Sequence, residues 1–186
     1  MTSAGVAKLC DGQPAVLTSV GHKGADSKSW VHRIRRIVSQ SRAVIQAIGR
    51  DCDLIVVEAP LTFSGGPNNG DAFDRYAVFI GVCSQILAWK TPLAIVHNAT
   101  RCKWATGKGG KSSKELTTAE HKREILLAVR EQWAQWANSI RNDDIADALT
   151  LAGMGALHLG DPLPFEPRRS QREGLASVEW PQVVTA

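Results

Sequence analysis

Apolar positions outline most of the chain before any chemistry is considered. Trp30, Ile34, Ile37, Val38, Val44, Ile45 and Ile48 recur at the spacing of one helix face between Ser29 and Arg50, with Arg33, Arg35, Arg36 and Arg42 between them. That period predicts a long amphipathic helix. Ahead of it, Gly5 to Leu9 and Ala15 to Val20 read as short strands joined through Cys10-Asp11-Gly12-Gln13-Pro14, whose Asp-Gly pair is a strong hairpin signal. Asp53-Leu54-Ile55-Val56-Val57-Glu58 is a continuous β-branched run closed by a charge and by Pro60, the pattern of a buried central strand. The Gly-, Asn- and Pro-rich stretch Leu61 to Gly70 predicts a loop, and Asp71 to Trp89 returns to helical spacing through Phe73, Ala77, Ile80 and Leu87. Leu93 to His97 is another short apolar strand.

The second half predicts a basic, glycine-rich loop from Lys103 to Lys114, then helices from about Thr117 to Trp136 and from Asp143 to Leu159. Beyond Gly160, Pro162, Pro164, Pro167 and polar residues predict an extended tail. With 186 residues and 44% hydrophobic content, the chain buries one good core but not two ordinary ones. The expected organisation is one domain over residues 1–159 and a tail over 160–186.

Charge adds direction. The net charge is +4 with a pI near 9.0, compatible with a polyanionic partner. Between Lys23 and Arg50, seven Lys or Arg face only Asp26; between Arg101 and Arg123, seven face Glu115 and Glu120. The first cluster is read as a helix's soluble outer face. Cys10, Cys52, Cys83 and Cys102 are widely spaced, so neither a metal knuckle nor a disulfide framework is signalled. The first ten residues lack a basic segment followed by an apolar run, and no stretch approaches a membrane span. A cytoplasmic protein is expected.

The most informative candidates are acidic. Asp144 and Asp147 lie three apart on the last helix, hence on one face, beside Ile145, Leu149 and Leu151. Two like charges held together repel unless a cation sits between them, and a divalent metal is the obvious one. A helix N-terminus capped by Asn142 explains Asp143 and Asp144 equally well, though Asp147, a turn further in, fits it less. Asp143 is itself four residues from Asp147, so helical geometry does not decide which of the adjacent pair points inward. Glu58 closes a buried strand at the edge where open α/β sheets place ligands; alternatively it simply turns into solvent.

The order of these elements, with Thr2-Ser3-Ala4-Gly5-Val6-Ala7, Val56-Val57-Glu58, Ala105-Thr106-Gly107-Lys108-Gly109 and Asp144-Ile145-Ala146-Asp147-Ala148-Leu149, resembles the RuvC-like Holliday junction resolvases of the RNase H-like nuclease superfamily. The resemblance implies an α/β, RNase H-like mixed sheet flanked by helices. It also implies a metal-dependent endonuclease that cuts branched DNA with two Mg²⁺ or Mn²⁺ ions held by Glu58, Asp144 and Asp147. Lys103, Lys108, Lys111 and Lys114 would contact phosphates, and a homodimer would match a two-fold junction. No small-molecule cofactor is implied.

One departure stands out. The resemblance calls for an essential Asp in a first strand ahead of the Met1 segment, which makes the N-terminal strand look truncated; Asp11, in the hairpin turn, cannot replace it. Two rival expectations follow. One is a relic that binds junctions without cutting. The other is a P-loop protein, because Ala105 to Ser112 satisfies a relaxed phosphate-loop pattern, although polar Asn98 to Lys103 separate it from the preceding strand.

Overall fold

The computed structural model describes residues 3–21, 29–60, 69–108 and 117–182. Strands β1 (Ala4–Cys10) and β2 (Gln13–Val20) form an antiparallel hairpin. Asp11 and Gly12 at its tip both have positive φ, 48° and 71°. That is the backbone twist a two-residue hairpin turn demands, and it accounts for Asp-Gly there. Helix α1 (Trp30–Ile48) follows, then β3 (Ile55–Glu58), α2 (Asn69–Ala88) and β4 (Leu93–Val96). Strands β3 and β4 pair in parallel, as a crossover through α2 requires. Next come α3 (Asn98–Thr106), α4 (Thr118–Gln132), α5 (Asp143–Leu159) and the short α6 (Arg169–Gly174).

Three apolar clusters stack these elements in layers. Val44 of α1 and Val78, Val82 and Ile86 of α2 pack with Val6 and Ile55 on one side of the strands. On the other, Ile125 and Val129 of α4 meet Ile145 and Leu149 of α5, against Ala7, Leu9 and Leu17 of the hairpin. Val96, Trp104, Leu151 and Met154 form the third cluster. Helix α5 lies across both strand pairs. Asn142 caps it by accepting from the Ile145 N–H at 2.9 Å. At its first turn it presses on Gly5 so closely that a Cβ there would lie 1.8 Å from the Asp144 carbonyl oxygen. That contact fixes the start of β1 beside the first turn of α5.

Among the described residues the strands fall into two two-stranded sheets flanked by helices, antiparallel β1–β2 and parallel β3–β4. The glycine-rich loop begins later than expected. Lys103 and Trp104 belong to α3, which ends at Gly107 in the left-handed conformation, φ 76°. Gly107 therefore terminates a helix rather than opening a loop from a strand. In the segment beyond Gly160, the described residues include α6, whose Gln171 is 1% exposed and donates to the Trp104 carbonyl at 3.1 Å. Arg168 donates to the Trp104 and Ala105 carbonyls at 3.1 and 2.9 Å, so this segment covers the C-terminal end of α3.

The arginines of α1 are not all a soluble coat. Asp74 of α2 is 2% exposed, and Arg33 donates to it at 2.8 Å, with Arg36 on its other oxygen. A buried carboxylate persists only when paired, and here α1 supplies both partners. Asp74→Ala removes the anion that the two guanidinium groups share and should destabilise the protein by roughly 1–3 kcal/mol. Urea unfolding followed by circular dichroism measures the loss, and a change within experimental error would show that the clasp contributes nothing net.

Candidate active site

β3 and α5 each bring one acid to a common point. Glu58 ends β3, where the parallel ladder stops, and Asp147 faces it from the second turn of α5. Between them lies the guanidinium of Arg101 from α3, with its side chain 4% exposed. It donates through Nε to Glu58 Oε1 at 3.0 Å and through Nη1 to Asp147 Oδ1. Asn98, the first residue of α3, donates to the same Glu58 oxygen at 2.7 Å. One short helix thus presents two donors from one turn to carboxylates on two other elements.

The other acids of α5 go elsewhere. Asp144 accepts from the Ser3 hydroxyl at the start of β1. Asp143 pairs with Lys122 of α4, which holds the carboxyl below its ordinary range. Asp144 and Asp147 share a helix face as expected, but they do not share a counter-charge. Asp147 behaves differently from its neighbours. Burial, and behind it Glu58, Asp143 and Asp144, push its carboxyl up to about 7 against the opposing pull of Arg101. Arg101 itself is held above its ordinary value, because Asp147 and Glu58 outweigh the burial that would lower it.

The donor set is chemically right for a hard divalent cation, since carboxylate oxygens are what Mg²⁺ and Mn²⁺ take. The arrangement is not. Glu58 and Asp147 are already bridged by Arg101, Asp144 is turned to Ser3, and among the described residues no three His, Cys, Asp or Glu side chains are gathered so as to hold a metal ion. The residues as arranged do not fit the metal pair that the resemblance implies.

Of the lysines, Lys103 is exposed on α3, and Lys108 pairs with Glu124 of α4. Lys111 and Lys114 lie outside the described residues, as does the second half of the relaxed phosphate-loop pattern, residues 109–112. The described part of that pattern, Ala105 to Lys108, is the end of a helix and its cap, whereas a P-loop springs from a strand. Sequence reasoning missed Arg101, Asn98 and Ser3. Arg101 sits inside a basic run and reads there as one more surface cation. A usable signal was its place one turn after the buried strand Leu93–Val96, at the same sheet edge as Glu58.

No family model matches the chain, and no curated protein is similar to it. Among solved structures, it is similar to Thermus thermophilus RuvC in complex with a Holliday junction substrate, at 15% identity and a TM-score of 0.52, over 93% of this chain and 88% of that one. At that identity the likeness speaks for the fold, which is α/β and RuvC/RNase H-like. Among the described residues, no helix is long and apolar enough to cross a membrane.

The raised Asp147 carboxyl carries a consequence for stability. A group whose folded value lies above its unfolded one contributes fully below the unfolded value, near 3.8, and loses that contribution as pH rises through about 7. Asp147→Asn, neutral at every pH, should therefore gain on the wild type as pH rises from 4 to 7.5, its melting temperature shifting upward relative to the wild type's. Calorimetry across that range tests it, and a difference that stays constant with pH would contradict the raised Asp147 carboxyl.

Proposed function

We propose that this protein is an endonuclease of branched DNA, hydrolysing phosphodiester bonds at four-way junctions, with Glu58, Asp144 and Asp147 as its required carboxylates. The observation that carries the reading is the meeting of Glu58 and Asp147, from β3 and α5, on one buried counter-charge at the carboxyl edge of the parallel strands. Ligands gather at that edge in α/β folds. A carboxyl near pH 7 there is the kind of perturbed group that functional sites hold. The RuvC structure that shares this fold has a Holliday junction bound.

In this reading the chain's own groups do three things. Arg101 and Asn98 hold Glu58 in one orientation. Asp147 can take or release a proton near neutral pH, which suits it to proton transfer with an attacking water. Lys103, exposed on the same helix as Arg101, supplies a phosphate contact whose strength falls as salt rises. The Mg²⁺ or Mn²⁺ requirement belongs to the proposal as a quantity to be measured.

A second reading, a junction binder that does not cut, is favoured by Arg101 itself, which neutralises the two acids that hydrolysis would use. A synthetic four-way junction separates the two. The nuclease reading expects cleavage with Mg²⁺ or Mn²⁺, none with EDTA, and loss of cleavage without loss of binding in Glu58→Gln and Asp147→Asn. Binding without cleavage in either metal selects the second reading.

A homodimer completes the proposal, since a two-fold substrate suits a two-fold protein. Its support is an apolar surface shared by α1 and α2, where Trp30 and Ile34 are 64% and 56% exposed beside Phe73, Tyr76 and Ile80. Sedimentation should give a dimer for the wild type and a monomer for Ile34→Glu combined with Ile80→Glu. A monomeric wild type at micromolar concentration would remove the dimer from the proposal.

A further inference from the structure

Behind the contact between α3 and Glu58 stands a further side chain of the same helix. Asn98 and Cys102 are four residues apart on α3 and so share one of its faces. The Asn98 amide is engaged at both ends. Its Nδ2 donates to Glu58 Oε1 at 2.7 Å, and its Oδ1 accepts from the Cys102 thiol at 3.6 Å. An amide turned about its last bond presents either two donors or a carbonyl oxygen, and only the donors suit a carboxylate. A thiol placed at the carbonyl oxygen favours that same orientation, because S–H is a donor.

The sulfur is held in place by the core. Cys102 is buried in the cluster that Ile125 and Val129 of α4 form with Ile145, Ala146 and Leu149 of α5. Burial, the largest influence on the thiol, pushes it above its ordinary range, so it carries the proton it donates. A continuous path of contacts therefore runs from packed core to acid, through Cys102 and Asn98 to Glu58.

That path bears on how Glu58 is presented. Arg101 reaches the same oxygen, Oε1, through Nε at 3.0 Å. Both donors of α3 thus grip Oε1, and among the described residues no donor meets Oε2. With one oxygen held, the direction of the other is set, and misplacing a reacting group by about 1 Å can cost a hundredfold in rate. The bland account of Cys102 is a small apolar side chain filling a gap. Packing alone, however, does not place its sulfur on the amide that orients an acid.

We infer that Cys102 is a positioning residue for Glu58, acting through the Asn98 amide to fix the direction in which Glu58 presents its free oxygen. The inference rests on the reading of Glu58 as a required carboxylate and adds how that acid is oriented.

Two replacements of similar size separate positioning from packing: Cys102→Ala has no donor, and Cys102→Ser keeps one. On a synthetic four-way junction with Mg²⁺ or Mn²⁺, Cys102→Ala should lower kcat about three- to tenfold, the worth of one modest hydrogen bond, with KM within about twofold. Cys102→Ser should recover most of that loss. In an Asn98→Ala background, Cys102→Ala should cost nothing further, because the path is already cut. An unchanged kcat in Cys102→Ala, a Cys102→Ser variant no better than Cys102→Ala, or an equal loss with Asn98 replaced overturns the inference, while cleavage by the wild type keeps the nuclease reading. A wild type that binds the junction without cutting removes that reading, and the Asn98 amide is then read directly by nuclear magnetic resonance. Its side-chain NH₂ protons should exchange with water about threefold faster or more in Cys102→Ala than in wild type and Cys102→Ser. Equal exchange in all three proteins overturns the inference.

Discussion

A buried positive charge has to be matched where it lies, and Arg101 is matched by acids from two elements that nothing else ties together at that point. Glu58 comes from the end of β3, Asp147 from the second turn of α5, and the guanidinium from the first turns of α3. Removing either acid leaves the other to balance a side chain that is 4% exposed. The triad therefore sets where α3 sits, and α3 in turn carries Trp104 into the cluster that α5 and the C-terminal segment complete. Arg168 and Gln171 close the far end of α3 by occupying its last carbonyls. One short helix is thus held at one end by charge and at the other by hydrogen bonds.

That arrangement accounts for what was legible in the sequence. Periodicity gave α1, α2 and α5, because each buries a continuous face and apolar spacing records burial directly. The Asp-Gly turn gave the hairpin, since its two positive φ values leave few residue choices. The acids Glu58 and Asp147 were legible because a charge on an otherwise apolar strand or helix face conflicts with its surroundings. Their partner was not. Arg101 stands among lysines in a segment with weak helical period, and only the fold reveals that its side chain turns inward while that of Lys103 stays in solvent. Asp74 escaped for the same reason. A lone acid on an amphipathic helix reads as surface until the partner helix is placed against it.

Glycine misled in one place. Gly107, Gly109 and Gly110 made residues 103–114 look like one loop, yet glycine is also the commonest residue just past a helix end. Gly107 serves that purpose, and its left-handed backbone ends α3 four residues later than the reading of a loop from Lys103 allowed. The distinction matters for chemistry. A loop springing from a strand would present backbone N–H groups to a phosphate, whereas a helix ending here presents carbonyls, which Arg168 covers.

The two readings of the acidic centre differ in what neutralises it. Hydrolysis of a phosphodiester requires positive charge close to the scissile phosphate, because the phosphate is already anionic and gains charge as the water attacks. In the described arrangement the positive charge between Glu58 and Asp147 is Arg101, and it is already engaged by both carboxyl groups. A phosphate approaching Glu58 and Asp147 would meet repulsion unless that balance changed. Either Arg101 turns from the acids towards the phosphate, or the acids gain another cation. Both changes act on the same carboxylates, so the triad that positions α3 is also what the nuclease reading requires to be rebalanced.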